Sequence, residues 1–268
     1  KVSNRWGWGF VSISVIMISV LVFIPMIQSF LLSLQSGQGN QLTFAGLSNY
    51  KRMLTDTTFR KALVNTFLYL LVQVPVMILA LFISVLLNDK KLKCRSFFRI
   101  AIFLPCVTSL VSYSLIMKSI FSGDGLVNQI LMAMHLISEP IGWTTSPAFA
   151  KALIIISITW RWTGYNMIFY LSGLQNIDPS IYEAAELDGC NGFQKFFKII
   201  VPQLKPIILF TTITSTIGTL QLFDEVKNIT DGGPANTTLT ISQYIYNLCF
   251  KYTPNFGYAA AIAFVVLV

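Results

Sequence analysis

Six long apolar runs, separated by shorter polar connections, leave this chain few ways to fold. They cover residues 9–34, 62–87, 100–121, 149–174, 205–223 and 258 onward. Each is long enough, or nearly so, to cross about 30 Å of hydrocarbon. None alternates with period two, and each is far longer than the roughly 10-residue strand of a membrane barrel. A helix satisfies its own backbone polar groups in lipid, so each run is expected as a helix. Composition agrees: 54% of residues are hydrophobic and 11% charged, against about 25% charged in a soluble domain. The expected fold class is all-α integral membrane, a single domain over 1–268 with the lipid bilayer as its solvent. The first run exceeds the roughly 7–15-residue core of a signal peptide and is read as a span. The last has only eleven residues up to Val268, so the chain is expected to be cut short inside it.

The net charge of +8 does not make nucleic acid a partner. The basic residues sit mainly in short connections between apolar runs, where they signal topology. Lys90, Lys91, Lys93, Arg95 and Arg99 crowd one short connection and mark it as cytoplasmic. The N-terminus and the 175–204 loop then share that side. Across the whole chain the bias is weaker, ten Lys/Arg inside against eight outside. Cys94, Cys106, Cys190 and Cys249 are too scattered for a metal site or a disulfide framework. No metal ligand set and no catalytic group is expected.

The 175–204 loop is the most informative segment. Asp178 can cap a helix that has Pro179 in its first turn, and Ser180 with Glu183 offers a competing capping box. Gly189 suits a left-handed helix end. Asn191 and Gln194 make a second cap pair, and Phe193, Phe196, Phe197 and Ile200 then recur at helical spacing. The expectation is a short exposed helix with small residues and carboxylates, followed by an aromatic-faced helix against the membrane. Physics alone leaves open whether a partner docks there or the loop is only stiff.

Glu183-Ala184-Ala185, then Gly189, then Ile199-Ile200-Val201-Pro202 resembles the EAA loop of ABC importer permeases. Every spacing fits; Val201 stands where that pattern has Leu. Leu171-Ser172-Gly173-Leu174-Gln175-Asn176-Ile177, Leu104-Pro105, Gly125-Leu126-Val127-Asn128, Gly46-Leu47-Ser48-Asn49-Tyr50 and Thr230-Asp231-Gly232-Gly233-Pro234 resemble its carbohydrate-uptake, maltose-type, binding-protein-dependent branch. The resemblance implies a permease subunit paired with a second permease subunit. It also implies two ATPase subunits, an extracytoplasmic binding protein and a sugar substrate. ATP and Mg would belong to the ATPase, and this chain would carry no cofactor. Glu183, Ala184, Ala185, Asp188 and Gly189 would be the ATPase-coupling residues of a helix between spans four and five. Glu183 can serve as an anchor, a cap, or both.

Polar groups inside the runs are candidates for the substrate pathway. Arg161 sits near the middle of the fourth run, where an arginine costs at least about 2.5–3.5 kcal/mol. It needs either a hydrated path or a carboxylate partner, and both readings stand. Trp160, Tyr165 and Asn166 lie near it in sequence. Thr214, Gly218, Gln221 and Glu225 fall on one helical face, with Asp224 adjacent. Pathway lining and helix–helix hydrogen bonding explain this face equally well. No Gly-Lys dipeptide occurs, so there is no Walker A loop, and no HExxH occurs. An importer of a sugar-phosphate or polyol is the nearest alternative; a secondary carrier is more distant.

Overall fold

The apolar runs become helices, as the backbone requires in lipid. The computed structural model describes residues 2–39, 41–89 and 91–267, without the side chains of residues 2–6. The charges of Lys1, Arg5 and Lys90 and the end of the last run at Val268 therefore lie outside what is described. In chain order come α1 (Val2–Ile18), α2 (Ile24–Ser33), β1 (Gln35–Gln38), β2 (Gln41–Phe44), α3 (Ser48–Thr55), α4 (Thr57–Asn88), α5 (Arg95–Val107) and α6 (Leu110–Ile120). Then follow α7 (Leu126–Ala133), α8 (Pro147–Gln175), α9 (Pro179–Leu187), α10 (Gly192–Lys195), α11 (Val201–Leu220), α12 (Asp224–Ile229), α13 (Ile241–Tyr246) and α14 (Phe256–Leu267). Single π-helical turns join α1 to α2, α10 to α11, and extend α13.

Among the described residues, three helices are long and apolar enough to cross a membrane: Gly7–Ser33, Thr57–Asn88 and Gly192–Leu220. Three expected boundaries change. The 100–121 run is two helices, α5 and α6, bent by 112°. Thr108 is extended, and the Ser109 hydroxyl caps α6 by accepting from the Ser112 amide, so the first helix stops and a second starts. The fifth run does not begin at Lys205. Gly192 through Leu220 is one helix of 29 residues, with the aromatic turn as its first part. It ends at Leu220 rather than Phe223, because Gln221 and Leu222 close the last turn onto Ile217 and Thr219. The all-α expectation also misses the antiparallel β1–β2 hairpin, which pairs Gln35 with Phe44 and Gln38 with Gln41. Its turn uses Gly39 at φ +57°, a conformation glycine adopts freely.

The chain divides into two compact units. The first holds residues 1–60 and 241–268. Here α14 packs on α2, with Phe264 and Phe30 ring centroids 4.8 Å apart. The Asn49 side chain donates to the Ser33 and Gln35 carbonyls at 2.8 and 2.7 Å and pins the hairpin base. Asp56 organises one end of this unit. Its Oδ1 accepts from the Thr58 and Phe59 amides, and its Oδ2 accepts from the Tyr244 and Tyr258 hydroxyls, both at 2.6 Å. Burial opposes its ionisation, yet these four donors outweigh burial and hold the carboxyl below its usual range.

The second unit, residues 61–240, is built around α8, which packs on α5, α11 and α12. Gly164 lets α8 meet the α5 backbone: a Cβ there would sit 2.3 Å from the Ile102 carbonyl oxygen. Tyr69, Tyr113, Met117, Ile154, Ile158 and Val226 form its largest buried cluster. Asn128 closes the connection between α7 and α8, donating to the Ser122 and Ile141 carbonyls and accepting from Trp143 Nε1.

Asp56→Ala removes a helix cap and leaves the fully buried Tyr258 hydroxyl unpaired. The expected cost is about 1–3 kcal/mol, read as a lower Tm of the purified protein, with Asp56→Asn losing less. A depressed folded value means that this stabilisation is present above the ordinary aspartate value of about 3.9. It is lost only as pH falls through the lower folded value. A Tm unchanged in Asp56→Ala at neutral pH rules the role out.

Candidate functional site

Helix α9 is held at both ends by its own sequence. The Asp178 carboxylate accepts from the Ser180 amide at 2.9 Å, with Pro179 in the first turn. Hydrogen bonds from Ser180 hold that carboxyl below its usual range. Asp178 thus takes the cap for which Ser180 competes in sequence. At the far end the Asp188 amide donates to the Ala184 carbonyl and the Cys190 amide to the Ala185 carbonyl, both at 2.9 Å. Gly189 turns the chain at φ +73°. Asn191 and Gln194 then form a reciprocal capping box that opens the 29-residue helix Gly192–Leu220.

The two faces of α9 differ. Ala185 is buried and Tyr182 half-buried, both turned toward the protein. Glu183, Ala184, Asp188 and Gly189 are exposed, and Leu187 is 90% exposed. So four of the five coupling candidates share an outward surface, while Ala185 supports it from beneath. Among the described residues nothing ties up the Glu183 carboxylate. Two features escape the sequence reading. Leu187, four residues after Glu183, is an apolar knob on that surface, and the helical spacing was there to be read. The second is Glu186, whose Oε1 receives a hydrogen bond from Lys195 Nζ at 2.7 Å. That bond and the charges of Lys195 and Lys91 hold the Glu186 carboxyl below its usual range. Its partner lies across a turn, beyond any local pattern.

Arg161 has a carboxylate partner. Its Nη2 lies 2.6 Å from Oε1 of Glu225, whose side chain is 2% exposed. The Arg161 guanidinium also lies 5.0 Å from the Trp162 ring centroid. Glu225 does not continue the face of Thr214, Gly218 and Gln221 as its spacing suggested. Helix α11 has ended, Gln221 is its exposed C-cap, and Glu225 belongs to the first turn of α12. Asp224, beside it, is half-buried.

The other candidates separate. Tyr165 packs edge-on against Trp162 and tilted against Phe169, at 5.3 and 5.0 Å. Trp160 faces Tyr113 on α6 at 6.1 Å. Asn166 is fully buried and accepts from the Ser215 hydroxyl at 3.1 Å. One turn further on, the Tyr170 and Thr211 hydroxyls meet at 2.9 Å. A Cβ at Gly218 would meet the Trp162 ring at 2.4 Å, and one at Gly173 the Ile207 side chain at 2.3 Å. Asn166 therefore belongs to a tight polar seam between α8 and α11, together with Ser215 and Thr211, which sequence reasoning passed over.

Comparison with known proteins gives this arrangement a family. The family described as "Binding-protein-dependent transport system inner membrane component" matches residues 57–268. The lactose transport system permease protein LacF of Rhizobium radiobacter is 56% identical over 264 residues, 97% of this chain and 89% of that protein. The arabinooligosaccharides transport system permease protein AraP of Halalkalibacterium halodurans is 36% identical over 252 residues, covering 92% and 78%. A crystal structure of a bacterial ABC transporter involved in the import of the acidic polysaccharide alginate aligns with TM-score 0.85 at 21% identity, covering 99% of this chain and 93% of that one. At that identity the likeness speaks for the fold alone, whereas the family match spans most of the chain and one relative is identical at over half of the aligned positions. The chain belongs to the binding-protein-dependent transport system inner membrane components.

Proposed function

We propose that this chain is the permease subunit of an ATP-driven sugar importer. The observation that carries the reading is its 56% identity, over nearly its whole length, to a lactose transport permease. An arabinooligosaccharide permease and the multiple sugar-binding transport permease MsmF of Streptococcus mutans support the same class. In such systems separate ATPase subunits hydrolyse ATP, so this chain is not the enzyme. In this proposal 1–268 is one permease domain whose six spans include α8, the α5–α6 pair and α14. The N-terminus and the 88–99 and 175–204 loops face the cytoplasm. A second permease subunit completes the path, two ATPase subunits with ATP and Mg lie beneath, and an extracytoplasmic binding protein delivers the sugar. A sugar-phosphate or polyol remains the alternative cargo.

Coupling follows from the helix mechanics. The outward face of Glu183, Ala184, Leu187 and Asp188 seats α9 on the ATPase, where the alanine permits close approach. Closure of the ATPase displaces α9, and Gly189 with the Asn191 cap passes that displacement to Gly192–Leu220. At 1.5 Å per residue this helix is a lever of roughly 43 Å. It bears on α8 through Gly173, the Tyr170–Thr211 and Asn166–Ser215 bonds, and the Gly218–Trp162 contact. Movement at the membrane surface thereby reaches the neighbourhood of Arg161 and Glu225.

Ala184→Asp and Glu183→Ala are expected to lower sugar-stimulated ATP hydrolysis of the reconstituted transporter by about tenfold, equivalent to roughly 1.4 kcal/mol, with membrane insertion unchanged. Gly189→Val forces a β-branched residue into the left-handed region at about 1–2 kcal/mol and should act the same way. Full stimulation in the Glu183 and Ala184 variants removes α9 as the coupling element.

Cysteines placed at Ser122 and Lys91, in a background without the native cysteines, test the orientation. In intact cells an impermeant thiol reagent should label the first and spare the second. Labelling at Lys91 alone inverts the topology.

Arg161→Ala leaves the Glu225 carboxylate buried without a counter-charge, at a cost of about 3–5 kcal/mol, so the assembled complex should be lost. Replacing both partners, Arg161→Met with Glu225→Leu, should restore assembly. Sugar uptake then separates the two roles of Arg161: it stays abolished if Arg161 lines the path and returns if the pair is purely structural.

A further inference from the structure

Helix α9 and the long helix Gly192–Leu220 meet at a junction with few fasteners. On the α9 side the backbone bonds end at Cys190: the Asp188, Gly189 and Cys190 amides donate to the Ala184, Glu186 and Ala185 carbonyls. On the other side they begin at Asn191, whose carbonyl accepts from the Lys195 amide and whose side chain accepts from the Gln194 amide. Among the described residues no backbone hydrogen bond joins the two sets. Between them Gly189 stands at φ +73°, a conformation glycine takes without strain.

Apolar packing is one restraint across this junction. Tyr182 of α9 and Phe196 of the long helix lie against the same buried cluster, which holds Tyr170, Leu174, Ile200 and Leu204. Such contact keeps α9 down on the protein, but it is non-directional and leaves the swing of α9 about Tyr182 unset.

Direction comes from Glu186. Its Oε1 accepts from Lys195 Nζ at 2.7 Å, nine residues on and beyond the Gly189 turn. Among the described residues this is the one side-chain hydrogen bond that spans the junction. The two side chains are 69% and 20% exposed, and an ion pair this exposed adds little to stability. A charge-assisted bond does demand a fixed geometry of both groups. Glu183, one turn earlier, is exposed and unengaged, so the two acids of α9 have different tasks.

We propose that Glu186 is a positioning residue: tied to Lys195 across the Gly189 turn, it fixes the angle at which α9 is carried by the helix Gly192–Leu220. The angle is a property of this chain alone; only its effect on transport rests on α9 being the coupling helix.

The test uses the assembled transporter, ATPase included, in nanodiscs without nucleotide. Spin labels at Ser180 on α9 and Lys198 on the long helix, both exposed positions, report the separation by pulsed electron paramagnetic resonance. The background lacks the native cysteines and should give one narrow distance distribution. Glu186→Gln and Lys195→Gln should each broaden it. Each should also lower sugar-stimulated ATP hydrolysis by about threefold, within what a surface ion pair can supply. Tm and assembly should not change. The double variant should be no worse than either single one, because both remove the same bond, and Lys195→Arg should behave as the parent. Lys91→Gln should leave both readouts unchanged, although the Lys91 charge also reaches Glu186. A distribution that stays narrow in both single variants, additive losses in the double variant, a lowered Tm, or a Lys91→Gln effect equal to that of Lys195→Gln would each overturn the proposal. Broadening with full sugar stimulation keeps the tie and removes α9 as the coupling element. An unchanged distribution with an uncoupled Glu183→Ala does the reverse.

Discussion

Helix α8 is too polar to face lipid, and the second unit is arranged around that constraint. Its middle carries Ser157, Arg161 and Asn166, and each such group left unpaired in hydrocarbon costs several kcal/mol. The neighbours meet this demand in different ways. On one side Glu225 supplies the counter-charge to Arg161. On another, Ser215 and Thr211 line up with Asn166 and Tyr170. Gly164 and Gly218 bring α5 and α11 close enough for these contacts, since a side chain at either would collide with backbone or ring. Small residues and interhelical hydrogen bonds are the means by which helices associate where lipid tails provide no hydrophobic drive.

That packing has a mechanical consequence. A helix seated through glycines and short hydrogen bonds has little freedom to slide without breaking several contacts together, which favours the proposal that a push on Gly192–Leu220 is carried rather than absorbed. The helix does contain a compliant stretch, the π-helical turn Phe196–Ile200 followed by Pro202 and Pro206. Interruptions of the regular hydrogen-bond ladder are where helices bend. Rigid contacts with α8 along its C-terminal half and a yielding turn near α9 suit the displacement proposed for it.

The loop motifs that accompany the EAA-like segment serve as staples in this structure. Asn49 ties the hairpin to the end of α2, and Asn128 ties the α7–α8 connection to Trp143. Thr238 donates to the Gly233 carbonyl and closes the Asp231–Pro234 turn. Buried amides with several backbone partners define one loop conformation, because leaving any of those partners unmet is costly.

Sequence alone determined what depends on near neighbours: the apolar runs, their helical state, the cap at Asn191, the left-handed turn at Gly189, and the need of Arg161 for a partner or water. Each is a matter of residue type within a few positions, where helix periodicity and capping chemistry apply directly. Tertiary structure decided what joins distant segments. Glu225 became the partner of Arg161 only because α11 stops at Leu220 and α12 turns back onto α6 and α8. The bend at Thr108 and Ser109, the burial of Asn166 against Ser215, and the Glu186–Lys195 bridge likewise depend on the path of the chain between elements. An apolar run shows that a helix must be buried or face lipid, but its period carries no record of which neighbour covers which face.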